Sequence, residues 1–227
     1  MIGHIAETQF DLRFRVGPIP VRVHPIFWIT GLIIVWSPYQ SDPPMLLIAV
    51  LSVFVSVLVH ELGHATVTRL FGWPSEIVLG FFGGYATTAR TSTARNLLVL
   101  FAGPGAGFLL AGVSFVGLLF LVGVEGQSEG RAVDTLSFLL FINIAWSVLN
   151  LVPVLPLDGG QIAREVLVWL SPGRGEERAM LLSAVVGAVA AAGGYLWLHQ
   201  PFLAILFGMF AYQNFAAWKM RRRGGWS

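Results

Sequence analysis

A run of five residues inside a long apolar stretch, His60-Glu61-Leu62-Gly63-His64, has the residue types and spacing of a metal-dependent hydrolytic site. Histidines at positions i and i+4 lie on one face of a helix, so both imidazoles can bind the same metal ion. Glu61 between them can take a proton from a water molecule at that metal. Ionisable groups destabilise a membrane helix unless they are paired, ligated or hydrated, which favours a functional site. The alternative is a polar cluster that packs helices together.

A zinc site of this kind needs a third protein ligand and an open position for water. The chain has no cysteine, and its other three histidines, His4, His24 and His199, lie at termini or loop edges. Among the remaining carboxylates, only Asp158 directly follows an apolar segment whose helix is broken by prolines. Elimination therefore predicts Asp158 as the third ligand. Its alternative role is to cap the short helix that follows.

The composition places these residues in a membrane protein. Of the 227 residues, 56% are hydrophobic and only 11% are charged, and the mean hydropathy is +0.74. Because an ordinary soluble domain is about a quarter charged, this composition excludes soluble, disordered and nucleic-acid-binding classes. The net charge of +2 results from fourteen Lys and Arg residues against twelve Asp and Glu residues, and the basic residues are scattered along the chain. The lack of cysteine excludes disulfides and thiolate metal sites.

Six apolar segments predict six transmembrane helices, so the predicted fold is an all-α polytopic membrane protein. The segments cover about residues 24–36, 45–71, 96–122, 132–151, 179–198 and 202–218. A short amphipathic helix is predicted at 161–170. The alternation of polar and apolar residues at 10–23, around Gly17-Pro18, predicts an N-terminal interfacial strand or hairpin.

The basic residues predict the orientation in the membrane. With the N-terminus in the cytoplasm and six crossings, thirteen of the fourteen Lys and Arg residues are cytoplasmic and only Arg131 is outside. This bias favours six spans with both termini cytoplasmic. The site then lies in the cytoplasmic half of the membrane, since His64 is close to the cytoplasmic end of its span.

Residues 78–88 differ from the other apolar segments because they lack a helical period and are rich in glycine, aromatic and β-branched residues. Gly83-Gly84 is the predicted turn of a β-hairpin. Non-helical backbone at membrane depth persists only where protein or a hydrated cavity satisfies its polar groups. The segment is therefore predicted to be a short re-entrant hairpin.

Two motifs together resemble the site-2 protease family of intramembrane zinc metalloproteases. The first is the 60–64 run, and the second is Asn150-Leu-Val-Pro-Val-Leu-Pro-Leu-Asp158-Gly-Gly, a few spans later. The resemblance covers about residues 20–220. It implies one Zn²⁺ per chain bound by His60, His64 and Asp158, with Glu61 as the catalytic base.

The resemblance also implies substrate-binding residues. Asn150 would contact the polarised peptide carbonyl, although a role in hydrogen bonding at the helix end is equally compatible with its position. The 78–88 hairpin is similar to a family hairpin whose edge strand holds an unwound substrate, which implies contacts at Gly83, Gly84, Tyr85, Ala86 and Thr87. The alternative is a packed lid that does not touch substrate.

The whole chain is predicted to form one membrane-embedded metalloprotease domain, 1–227. It comprises an interfacial N-terminal segment (1–23), a catalytic core (24–178), two gate-like C-terminal spans (179–220) and a basic tail (221–227). No stretch resembles a PDZ domain or a nucleotide-sensing CBS pair. The Gly103-Pro104-Gly105-Ala106-Gly107 run in the third span is predicted to permit close helix packing or a kink.

The predicted function is hydrolysis of peptide bonds within or next to transmembrane segments of other proteins, in regulated intramembrane proteolysis. Substrate would enter sideways from the lipid of the cell membrane, with no nucleic-acid partner. Two alternatives remain open: a membrane metallohydrolase that acts on a lipid or small molecule, and a metal transporter. A transporter should carry further ligands along a path, whereas the first and last two spans offer few polar groups.

Overall fold

A computed structural model of the chain describes residues 7–80, 83–86, 92–123 and 129–223. These residues form seven α-helices and four β-strands. The helices are α1 (Pro25–Tyr39), α2 (Pro43–Leu70), α3 (Thr93–Gly123), α4 (Arg131–Asn150), α5 (Asp158–Leu170), α6 (Gly175–Leu196) and α7 (Pro201–Arg223). The strands are β1 (Leu12–Val16), β2 (Ile19–Val23), β3 (Ile77–Gly80) and β4 (Gly83–Ala86). Thr87, one of the predicted substrate-binding residues, lies outside the described residues. So do residues 224–227 of the predicted basic tail.

Four of the described helices, α2, α3, α4 and α6, are long and apolar enough to cross a membrane. The sequence predicted six spans. The first predicted span forms α1, which at 15 residues is shorter than a perpendicular crossing requires. The last forms α7, whose apolar character is interrupted by Gln213 and Asn214 and ends in a basic last turn. The structure therefore gives four apolar spans, two fewer than predicted.

The strands form one mixed sheet in the order β1-β2-β3-β4. The N-terminal segment is a hairpin, as the alternation predicted, and Gly17 has a positive φ of 57° at its turn. β2 pairs with β3 in parallel, and β3 pairs with β4 in antiparallel. The prediction of an all-α fold with a re-entrant β-hairpin and an N-terminal interfacial strand was therefore incomplete, since the N-terminal hairpin and the β3–β4 hairpin share one sheet.

The position of the predicted hairpin turn was wrong. Gly80 pairs with Gly83, and Leu79 pairs with Gly84, so both glycines lie within β4. Two adjacent glycines match a two-residue turn locally, but the pairing register depends on partners in β3 that local sequence does not specify.

The chain divides into two compact units, residues 1–90 with 101–147, and residues 91–100 with 148–227. The core of the first unit contains residues from the sheet and from α1 and α2, including Val23, Ile77 and Leu79, which are fully buried. In the second unit, Val154 packs among residues of α7 such as Phe207 and Phe210. The sequence-based division into segments stays a prediction.

Helix α2 begins at a capping signal that the sequence displays, and its buried hydroxyls bond within the helix. The Asp42 carboxylate accepts a hydrogen bond from the Met45 backbone amide, and prolines occupy the first turn. Within the helix, the hydroxyls of Ser52, Ser56 and Thr68 each donate to the carbonyl four residues earlier. These bonds satisfy the buried hydroxyls without partners from lipid or water.

A buried ion pair fastens the N-terminal hairpin. The Arg22 guanidinium on β2 donates to the Asp11 carboxylate at 2.9 Å, and the Asp11 side chain has no exposed surface. Asp11 also accepts from the Thr8 hydroxyl at 2.6 Å and from the Thr8 backbone amide at 3.2 Å. The Thr8 hydroxyl above all, together with Arg22, holds the pKa of Asp11 well below its usual range.

We expect the N-terminal hairpin to loosen in Asp11→Asn, because the substitution removes the negative charge that the buried Arg22 guanidinium contacts at 2.9 Å. The pKa of Asp11 is lower in the folded protein than in the unfolded chain. Its carboxylate therefore stabilises the folded hairpin fully above about pH 4, the ordinary carboxyl pKa, and this stabilisation is lost as the pH falls further. Hydrogen-exchange protection of β1 and β2 should therefore be lower in the variant at neutral pH, and the difference should shrink on acidification. Glu7→Gln, which removes an exposed partner of Arg13, is the control. Equal protection in all three proteins would contradict the role of the pair.

Candidate active site

The two histidines of the 60–64 run lie on one buried face of α2, as their spacing predicted. His60 is 2% exposed and His64 is 7% exposed. Their Nε2 atoms are 3.1 Å apart, and the ring centroids are 4.8 Å apart with the rings nearly perpendicular. Two imidazole nitrogens at this separation can bind the same small metal ion, because Zn–N bonds are about 2.0–2.1 Å long.

Asp158 is the first residue of α5 and is 8% exposed. The N-cap position belongs to Leu157, which makes no side-chain capping bond, so the alternative that Asp158 itself caps this helix was wrong. The Gln161 side-chain amide bonds to the segment before the helix, because it donates to the Pro156 carbonyl at 3.1 Å. A carboxylate in the first helical turn still interacts favourably with the helix dipole.

Glycines at the start of α5 let the preceding segment pack directly against the helix. A Cβ at Gly159 would overlap the backbone of Leu151, and a Cβ at Gly160 would overlap the backbone at Val154 and Leu155. The segment that connects α4 to α5 therefore folds back onto the turn that carries Asp158. No residue other than glycine fits these two positions without moving that backbone.

Among the described residues, His60, His64 and Asp158 form a buried group that could hold a metal ion, with ligand atoms all within 4.8 Å of one another. Two imidazole nitrogens and one carboxylate oxygen suit zinc and leave its fourth position for water. Burial excludes competing solvent from all three ligands. The residues that the sequence selected as ligands thus fit the metal that it predicted.

The other predicted site residues occupy elements near these ligands in the chain. Glu61 lies next to His60 on α2 and is buried, and Asn150 is the buried last residue of α4. Residues 83–86 form β4. Of the histidines set aside in the sequence, His24 caps α1, where its Nδ1 accepts from the Ile26 amide. His199 follows α6 in a left-handed conformation with a φ of 51°.

The glycines at 103–107 were predicted from the sequence only as packing residues, but one of them touches a ligand. A Cβ at Gly103 would overlap the His64 imidazole ring, so α3 passes directly over that ring. Gly63 on α2 also allows α2 and α3 to approach closely, since a Cβ at Gly63 would lie 2.9 Å from the Ala106 Cβ on α3. The signal available in the sequence was the Gly-x-x-x-Gly spacing, which indicates close helix approach without naming the neighbour.

Comparisons with known proteins agree with this geometry. The model of peptidase family M50 matches residues 48–134 and 125–193. The chain is 34% identical to the putative zinc metalloprotease sll0528 of Synechocystis sp., over 88% of this chain and 58% of that protein. It is 29% identical to zinc metalloprotease MJ0392 of Methanocaldococcus jannaschii, over 88% of this chain and 57% of that protein.

A solved structure, the site-2 protease from Methanocaldococcus jannaschii, shares the fold. It matches with a TM-score of 0.63 over 90% of this chain and 95% of that chain, at 21% sequence identity. The chain belongs to peptidase family M50, and the resemblance to the site-2 protease family is confirmed. It spans a little under three fifths of the length of the two curated relatives described above.

We expect Gly103→Ala to weaken metal binding, because the added methyl group would displace the His64 ring. Zinc retention under a chelator should fall about tenfold or more, measured by elemental analysis of the purified protein. Gly105→Ala is a matched control in the same helix, since a Cβ at Gly105 meets nothing within 4 Å. Equal zinc retention in both variants would contradict the steric role of Gly103.

Proposed function

We propose that this protein is an intramembrane zinc metalloprotease that hydrolyses peptide bonds within or next to transmembrane segments of other proteins. The observation that carries the proposal is the buried group of His60, His64 and Asp158, with Glu61 beside it, in a chain of peptidase family M50. Four described helices that are long and apolar enough to span a bilayer support a location of this chemistry in a membrane. Proteins of the bilayer are therefore the substrates that can reach the site by lateral diffusion.

The proposed mechanism assigns roles to five residues and the metal. His60, His64 and Asp158 would hold Zn²⁺, which when bound lowers the pKa of a water molecule and polarises a peptide carbonyl. Glu61 removes a proton from the attacking water and later delivers it to the leaving amine. Asn150 donates its side-chain amide to the carbonyl oxygen as negative charge develops there.

The terminal position of β4 in the sheet supports a role in substrate binding. β4 is the last strand in the order β1-β2-β3-β4, and its other edge is paired with β3. A peptide bond inside a helix is shielded from water, so a substrate must unwind before it is cleaved. Pairing of the unwound segment with the backbone of residues 83–87 would replace the hydrogen bonds that it loses.

We further propose six crossings with both termini in the cytoplasm of the cell membrane. α1 and α7 then cross in addition to the four apolar helices, with α1 extended by its flanking residues. The distribution of basic residues supports this orientation. His64 lies in the second half of α2, and Asp158 follows the end of α4. With this orientation, both positions support a site in the cytoplasmic half of the membrane.

We expect Glu61→Gln to retain zinc and to lose cleavage of a single-span peptide by at least about a hundredfold, since it removes the base and not a ligand. Elemental analysis and fragment detection measure the two effects separately. Asp158→Asn should lose zinc as well as cleavage. Glu76→Gln, at an exposed position in the first unit, is the control and should change neither.

Three outcomes would contradict the proposal. An active preparation without zinc would end the metal assignment. Zinc-loaded protein that leaves membrane peptides intact but hydrolyses lipid esters would indicate the lipid hydrolase instead. Zinc flux across vesicles without any hydrolysis would indicate a transporter.

We expect proline substitutions in β4 to separate substrate pairing from the fold of the sheet. Successive amides of a strand point to opposite edges, so only one of Tyr85→Pro and Ala86→Pro removes an amide that faces away from β3. That variant should lose cleavage about tenfold with unchanged zinc content and unchanged hydrogen-exchange protection of β3. If both variants cleave normally, β4 is a lid that does not bind substrate.

A further inference from the structure

The peptide groups of Leu155 are held by two helices that carry no predicted catalytic residue. Its backbone amide donates to the Ser183 hydroxyl of α6 at 3.0 Å. Its carbonyl accepts from the Asn214 side-chain amide of α7 at 2.7 Å. Leu155 lies three positions before Asp158, in the segment that connects α4 to α5. All of these residues belong to the second compact unit.

The other hydrogen bonds of this segment are local. The amides of Val152, Val154 and Leu157 donate to carbonyls between two and three residues earlier. The Pro156 carbonyl accepts from Gln161, at the start of the next helix. Leu155 is therefore the point at which side chains of α6 and α7 bond to the segment.

Both side chains are buried and well suited to the bonds they make. Ser183 is 1% exposed and Asn214 is 7% exposed. The Asn214 amide nitrogen has two hydrogens, and it donates to the Phe210 carbonyl at 2.8 Å as well as to Leu155. Because both neighbours are carbonyl oxygens, the nitrogen is the atom that must face them. A polar side chain destabilises an apolar helix unless it forms hydrogen bonds within the protein, as these two do.

The position of Leu155 is transmitted to the metal ligand by direct contact. Val154 is fully buried against α7, and the backbone at Val154 and Leu155 fills the space next to Gly160. A shift of Leu155 must therefore move the first turn of α5. That turn includes Asp158, two residues before Gly160.

We propose that Ser183 and Asn214 are positioning residues that set the location of the Asp158 carboxylate by fixing both peptide groups of Leu155. The inference rests on the proposed function, because it requires Asp158 to bind the metal. Removal of either side chain leaves a buried backbone group without its partner, and the segment relaxes to satisfy it. The metal site then loses its third ligand geometry while His60 and His64 remain in place.

The test compares metal retention with stability in the full chain. Ser183→Ala and Asn214→Leu remove the two bonds, Asn214→Asp keeps the shape but removes the donors, and Ser183→Thr keeps the hydroxyl. Gln213→Leu is the matched control, since it places the same new side chain at the exposed neighbouring position of α7. The readouts are the rate of zinc release to a chelator, the visible spectrum of the Co²⁺-loaded protein, and the unfolding midpoint of the metal-free protein.

We expect Ser183→Ala and both Asn214 variants to release zinc about tenfold faster than the unaltered chain, with a changed Co²⁺ spectrum. Ser183→Thr and Gln213→Leu should match the unaltered chain in both readouts. The metal-free unfolding midpoint of Ser183→Ala should fall by less than the faster zinc release would require, because the bond also fixes the position of the ligand. If Asn214→Leu does not fold, Asn214→Asp and Ser183→Ala decide the result.

Unchanged zinc release and an unchanged spectrum in the folded variants would overturn the inference and leave the proposed function intact. A loss of metal-free stability that accounts for all of the faster release would also overturn it, since the bonds would then be only structural. Failure of the unaltered chain to bind zinc would overturn the proposed function and this inference together.

Discussion

Polar groups inside apolar helices must find partners within the protein, and this constraint governs the site and its surroundings. The predicted metal ligands His60, His64 and Asp158 form a buried group that could hold a metal ion, and a bound cation would interact favourably with all three. Hydroxyls on α2 bond to their own helix, and the Asn143 amide on α4 donates to the Ser56 hydroxyl at 2.9 Å. The segment before Asp158 satisfies its backbone with local carbonyls and with side chains from α6 and α7.

Much of this arrangement could be predicted from the sequence because its signals are local. The long apolar segments 45–71, 96–122, 132–151 and 179–198 correspond to α2, α3, α4 and α6 with ends that agree within a few residues. The i, i+4 spacing placed His60 and His64 on one face. Elimination was sufficient for Asp158, since few carboxylates in this chain lie beside apolar helix.

The features that could not be predicted depend on contacts between distant parts of the chain. No local pattern predicts that β2 pairs with β3. The register between β3 and β4 includes Gly83 in the strand, whereas the sequence predicted it in the turn. The ring that Gly103 approaches belongs to another helix. The polarity of Asn214 was visible in the sequence, but its partner Leu155 was not, because a hydrogen bond to a backbone carbonyl far away in the chain leaves no local sequence signature.

The parallel pairing of β2 with β3 has a consequence for the order in which the protein assembles. All of α1 and α2 lies between these strands in the chain, so the sheet joins residues that are synthesised far apart. Non-local pairing of this kind is intrinsically slow, and a helix that leaves the ribosome early inserts before it. The helix with both histidines is therefore in the bilayer before β3 and β4 are added to the sheet. Asp158, on α5, is synthesised later still, so the three predicted ligands come together only after all four strands have left the ribosome.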